Sequence, residues 1–332
     1  MTSSEPASNA PEETEHTPAE RAAAANRSTF VSVGVNIALA TTQIVVGVFS
    51  KSQGLIADGL HSFSDLISDF IVLVANRHSH KAPDADHPYG HYRYETAASL
   101  AIGVVLLMVG GGMLWSAVSK LENPAAVPQV HGAALWVVLV ALAAKELLFR
   151  YMLAVAKRVK SSMLVANAWH ARSDAASSLV VGIGIIGNLL GYPILDPLAA
   201  AIVGFMVAKM GWSFGWVALH DLMDRAVTEE EAAAIQRTLR ETPGVHGVHD
   251  LRTRRMGDMI VADAHLEVDA TLTVEAGHGI AVEARRRVLQ RHRVLNLMTH
   301  LDPWRPAGAP ARYSVSRSGN EPDSEADGGG TP

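Results

Sequence analysis

The chain has 332 residues, is 48% hydrophobic and carries a formal net charge of -5 at pH 7. Its mean hydropathy of +0.15 is high for a cytosolic enzyme and natural for a chain with about half its length in lipid. No basic block exceeds a few residues, which excludes the footprint of a nucleic-acid binder, and the absence of cysteine excludes disulfides and thiolate ligands. A metal site here must use imidazole and carboxylate.

Residues 1–27 are rich in Glu, Pro, Thr and Ala, with Glu5, Glu12, Glu13 and Glu15 where a signal peptide needs positive charge. They read as a disordered cytoplasmic tail. Six apolar stretches follow, at about 29–49, 54–76, 96–119, 131–154, 163–189 and 195–220, each near the roughly 20 residues that cross a hydrocarbon core. Residues 28–222 are therefore expected to form a six-helix transmembrane bundle acting as the transport domain. Charged residues interrupt the second and fifth stretches, so hydropathy alone scores those two weakly. The segments 77–95 and 155–160 hold Arg77, Lys81, Arg93, Lys157, Arg158 and Lys160, whereas the opposite loops hold only Lys51 and Lys120. The positive-inside rule then puts both termini in the cytoplasm, in a bacterial inner membrane.

After the last span the character changes. A Thr cap at Thr228 precedes acidic first-turn residues and apolar Ala232, Ile235 and Leu239 at helical spacing. "HDLRTRRMGD" and "MIVADAHLEVDA" read as strands, the second alternating through Ile260, Ala262, Ala264 and Leu266. "TVEAGHGIAVEARRRVLQRH" reads as a helix and "VLNLMTHLDP" as a final strand. Residues 223–305 thus describe a small α+β domain, ferredoxin-like and metallochaperone-like, expected to lie in the cytoplasm and to gain stability from dimerisation or bound metal. Residues 306–332, rich in Ser, Gly, Asp and Pro, read as a second disordered tail.

Chemistry concentrates in the interrupted spans. "LIADGLHSFSDLISD" sets His61 and Asp65 four apart, on one helical face, and "NAWHARSDAASS" repeats the spacing with His170 and Asp174. Two imidazoles and two carboxylates can complete a tetrahedral shell for zinc, and the two negative charges offset those of the ion. A helix-packing polar network is the plainer reading. Carboxylates within a span are costly unless used, and two such pairs on separate helices favour the functional one. Asp58, one turn from His61, reads as a supporting group or proton relay. Arg172 points away from His170 and Asp174 and reads as a structural contact, and the glycines at 110–112 as points of close helix approach or bending. The loop word "PDADHPYGH" holds Asp84, His87 and His91, an incomplete zinc shell that water or Asp86 could fill, or else a solvated polar turn set by Pro88 and Gly90.

These words, "ADGLHSFSDL", "DADHPYGHYRYE", "HARSDAASS" and "HDLRTR", resemble the cation diffusion facilitator family across about residues 28–303. The resemblance implies a homodimeric, proton-coupled exporter of zinc and related divalent metals, with the transported ion held by His61, Asp65, His170 and Asp174. The His form at position 61 is associated with zinc preference in that family, and the Asp form with cadmium, iron or manganese. It further implies a peripheral site at Asp84, His87 and His91, and regulatory metal sites at the dimer interface through His249, His265, His278, His300 and Asp302. Arg93 resembles a basic residue that in relatives pairs with an acidic one after the sixth helix, here Asp224.

The expected activity is metal-for-proton antiport across the bilayer, with protons competing for the two imidazoles. Zn2+ is the leading cargo and the regulatory ion, and Fe2+, Mn2+ and Cd2+ are tolerated by the same donors. No Gly-rich phosphate loop with its Lys occurs, so no nucleotide is implied, and no enzyme activity. A membrane metal sensor shares the soluble histidines but gives no reason for ligand pairs inside spans. A membrane metalloprotease needs an H-E-x-x-H word, which is absent.

Overall fold

The computed structural model describes residues 18–158 and 162–306. The chain divides into two compact units, one carrying six long helices and the other built around a small sheet. The residues 1–17 and 307–332, which account for most of the expected tails, lie outside the described residues.

The helices of the first unit are α1 (Pro18–Ser50), α2 (Gln53–Ser79), α3 (Arg93–Leu121), α4 (Ala133–Arg158), α5 (Ser162–Leu189) and α6 (Leu195–Leu222), with a short 3-10 turn at Pro124–Ala126. The first begins at Pro18, inside the stretch read from sequence as a tail. The reason is local: proline suits the first helical position, and the alanine run that follows is the strongest helix former available. By length and composition, three helical stretches among the described residues are apolar enough to cross a membrane: Arg27–Ser50, Arg93–Leu121 and Leu195–Leu222. The other three helices carry the ionisable groups that matter below, Asp58 and Asp65 on α2, Lys145 and Glu146 on α4, and Arg172 and Asp174 on α5.

Leu55, Leu106, Val138, Val181, Ile185, Val203 and Val207 form the core of this unit, drawn from α2 to α6. Helices α3 and α6 make its most extensive pairing. Their backbones meet at small residues: a Cβ on Gly110 would lie 2.5 Å from the Ala208 nitrogen, whereas one on Gly111 or Gly112 would meet nothing within 4 Å. Within that triplet only the first glycine is needed for the close approach, which Gly103 of α3 and Gly204 and Gly211 of α6 also permit. Asp196, at the start of α6, is buried and caps α2 from outside, accepting from the Ser52 hydroxyl at 2.6 Å and from the Gln53 and Gly54 amides at 2.7 and 3.3 Å. A carboxylate there satisfies otherwise unpaired amides at the positive end of the helix dipole. It ties the helix bearing His61 and Asp65 to α6.

The remaining elements are α7 (Glu229–Arg240), β1 (Gly247–Met256), β2 (Met259–Asp269), α8 (Val274–Arg291) and β3 (Val294–Trp304), with sheet order β1-β2-β3; all but residues 254–260 belong to the second unit. This is the helix, strand, strand, helix, strand order expected from the sequence. Thr228 and Glu231 form the reciprocal capping box that starts α7. Ile260, Ala262, Ala264, Leu266 and Val268 on β2 are buried, as their alternation requires; within the second unit, Ile235 and Leu239 of α7, Ala284 and Val288 of α8, and Val294 and Leu297 of β3 are buried too.

Candidate functional site

On α2, the 3.6-residue period puts His61 and Asp65 on one side of the helix, with His61 Nδ1 3.5 Å from Asp65 Oδ2. Donor atoms of His61, Asp65 and Asp174 all lie within 4.8 Å of one another, so α5 delivers its carboxylate to the pair on α2. His61 is 7% exposed and its Nδ1 has no hydrogen-bond partner among the described residues. A buried imidazole beside two carboxylates is a donor set that a divalent cation fits chemically. His170, one turn before Asp174 on α5, is exposed and stands outside the group. Three of the four expected membrane ligands are thus brought together. Asp69 is exposed and does not join them.

Arg172 turns away from this site, as expected. Its guanidinium lies 4.7 Å from the Phe149 ring centroid and 5.3 Å from that of Trp169, and 3.8 Å from Glu146.

In the loop between α2 and α3, Asp84 Oδ1 accepts from the amides of His87 at 2.7 Å and Asp86 at 3.1 Å, closing a tight turn. His87 Nδ1 is 3.1 Å from Asp84 Oδ1 and His91 Nε2 is 3.3 Å from Asp84 Oδ2, so the three side chains converge. The His87 amide is the main cause that holds the Asp84 carboxyl below its ordinary value. Asp86 lends the cluster its amide, while its carboxylate stays out of the group. Arg93 Nη2 donates to Asp224 Oδ1 at 2.8 Å, forming the pair the sequence resemblance implied.

In the second unit, Asp302 is the hub. Its Oδ2 lies 2.8 Å from His265 Nδ1 and 3.2 Å from His249 Nε2, and its Oδ1 lies 3.3 Å from His300 Nε2. Two overlapping donor groups result, His265 with His300 and Asp302, and His249 with Asp250 and His265. An Nδ1–H of His265 donating to the carboxylate leaves Nε2 with its lone pair for a cation. His278, near the start of α8, is exposed and belongs to neither group.

Sequence reasoning passed over several residues. Asp250 and Glu267 sit beside His249, with Glu267 Oε1 3.9 Å from its Nε2. Lys145 of α4 is 4% exposed and reaches Asp58 and Ser178 next to the membrane group. A lysine within an apolar stretch was the available signal, since an intramembrane charge is functional by default.

Residues 29–223 match the family model described as the cation efflux transmembrane domain, and residues 227–304 that of the cation efflux protein cytoplasmic domain. The chain is similar to metal tolerance protein C1 of Arabidopsis thaliana, 34% identical over 283 residues that cover 81% of this chain and 60% of that protein. It is also similar to the manganese efflux system protein MneS of Bacillus subtilis (strain 168), 32% identical over 281 residues, or 82% of this chain and 93% of that one. The magnetosome protein MamB of Magnetospira sp. (strain QH-2) is 33% identical over 259 residues, covering 76% and 86% respectively.

Proposed function

Because the chain belongs to the cation efflux family, whose members export divalent metal cations, we propose that it is a proton-coupled antiporter carrying Zn2+ out of the cytoplasm. The observation that carries this reading is the convergence of His61, Asp65 and Asp174, from two helices of the transmembrane domain, around a buried imidazole whose Nδ1 makes no hydrogen bond among the described residues. Asp65 and Asp174 supply the charge that offsets a divalent ion, and His61 supplies the borderline donor that zinc favours. His170, one turn from Asp174, is the fourth ligand, closing on the ion when it arrives. Its six apolar stretches are six spans of a bacterial inner membrane, and the loop charges put both termini in the cytoplasm. The protein works as a homodimer, with His249, His265, His300 and Asp302 holding regulatory ions in the soluble unit, His278 contributing from α8, and Asp84, His87 and His91 forming a peripheral site.

Manganese is the second reading for the cargo. One relative is named a manganese efflux system protein, and two carboxylates suit an oxygen-preferring ion.

The test is flux into vesicles reconstituted with the full chain under an imposed proton gradient, comparing zinc, manganese, iron(II) and cadmium. Gradient-driven zinc flux that disappears in Asp65→Ala is the expected result. A different preferred ion would revise the cargo, and no flux of any ion from folded protein would replace the transporter with a membrane metal sensor.

A further inference from the structure

Lys145 is the buried cation that the proposed transport cycle leaves without a task. It projects from α4, is 4% exposed, and donates from Nζ to the Ser178 hydroxyl at 2.7 Å. The same nitrogen is 3.4 Å from both the Ser62 hydroxyl and the Asp174 carbonyl, and 3.6 Å from Asp58 Oδ1. Asp58 is fully buried and accepts from Gln43 of α1 and from Ser177 and Ser178 of α5. Lys145 also lines, with Asp65 and Asp174, a small cavity of about 30 Å³, room for one water-sized particle.

The charges decide what this arrangement does. Lys145 links a third carboxylate to the pair beside His61: its Nζ is 3.6 Å from Asp58 Oδ1 while its side chain lines the cavity with Asp65 and Asp174, and three carboxylates are one more than a divalent ion balances. An extra buried negative charge is costly unless it is paired and hydrogen-bonded. Lys145 pairs with Asp58, and three hydrogen bonds occupy that carboxylate's oxygens.

We propose that Lys145 is a specificity-determining positioning residue: by holding Asp58 in the four-helix network, it restricts the ion's charged partners to Asp65 and Asp174. The inference rests on the transport reading above and deepens it. Without Lys145, Asp58 becomes a third carboxylate donor. An oxygen-richer site favours manganese over zinc and holds its ion too firmly to release it rapidly.

The experiment measures zinc and manganese flux in vesicles with full-length wild type, Lys145→Met, Asp58→Asn and the double variant. Lys145→Met is expected to raise the manganese-to-zinc ratio of kcat/KM about tenfold and to lower the maximal zinc rate by a similar factor, the scale typical of residues supporting metal ligands. Asp58→Asn, which leaves the lysine unbalanced beside the ion, raises the zinc KM about tenfold. The double variant, losing both charges together, returns the ratio and the KM to within about twofold of wild type. An unchanged ratio in Lys145→Met, or a double variant no closer to wild type than Asp58→Asn, would overturn the proposal. If Lys145→Met fails to fold, the comparison of Asp58→Asn with the double variant decides alone. Wild-type flux that disappears in Asp65→Ala secures the transport reading independently, so a failure confined to the Lys145 series counts against this role and nothing else.

Discussion

Nδ1 of His265 lies 2.8 Å from Oδ2 of Asp302, and that oxygen is also 3.2 Å from His249 Nε2. One carboxylate thus orients two imidazoles contributed by separate strands, β1 and β2, while itself standing on β3. Orienting partners of this kind typically contribute 10–100-fold to metal affinity, so Asp302→Ala should weaken zinc binding by about that factor. Isothermal titration of the full chain in detergent, carried out in an Asp65→Ala background to silence the membrane group, reads this directly. An isotherm unaffected by Asp302→Ala would leave these histidines with a structural role only.

Arg93 and Asp224 should give a pH signature of definite sign. The Arg93 guanidinium hydrogen bond holds the Asp224 carboxyl below its ordinary value of 3.8. Between the two values the unfolded chain binds more protons than the folded one. The stabilisation is therefore complete above about 3.8 and is lost as pH falls through the lowered value. Both side chains are exposed enough for solvent screening, so the contribution should be below about 1 kcal/mol. Thermal unfolding of wild type and Asp224→Asn should differ slightly at pH 6, with the gap closing under acid and in high salt. A gap that widens on acidification would contradict the assignment.

Asp196 carries a larger share of stability, because it is buried and serves three donors at the start of α2. Replacing it by alanine leaves the Gln53 and Gly54 amides unpaired and should cost about 1–3 kcal/mol. Asp196→Asn, which retains one acceptor oxygen, should lose less. Unfolding midpoints of the two variants in the same detergent would show the order, and equal losses would mean that the charge, not the hydrogen bonds, is what α2 needs.

The glycine triplet of α3 allows a test within three residues. Gly110→Ala forces a Cβ to 2.5 Å from the Ala208 nitrogen, so α3 and α6 must separate, at about 1–3 kcal/mol. Gly111→Ala meets nothing within 4 Å and replaces a poor helix former by the best, so it should be neutral or mildly stabilising. Comparing the yield of folded protein and the unfolding midpoint for the pair is sufficient, and matched behaviour would dismiss the close-approach argument.

Much of this protein was legible before its structure because the informative signals are periodic. The i, i+4 spacing of His61 with Asp65 and of His170 with Asp174 placed each pair on one helical face, and apolar alternation located the buried side of β2. The order of elements after residue 226 followed from the same two periods, with the Thr228 cap marking where α7 begins. The start of α1 at Pro18 is hidden in the sequence, because acidic and proline residues at the amino end mask a strong helix-forming alanine run.

Sequence by itself determined the donor types, the helical faces that present them, and the family. Only the tertiary structure decided which faces meet. It joined Asp174 to the His61 and Asp65 pair while leaving His170 outside, made Asp302 a hub for three histidines while leaving His278 aside, and placed Lys145 against Asp58. Those outcomes depend on helix rotation, strand register and side-chain reach between residues far apart in the chain. No local period encodes such distances, because they are set by how whole elements bury their apolar faces against one another.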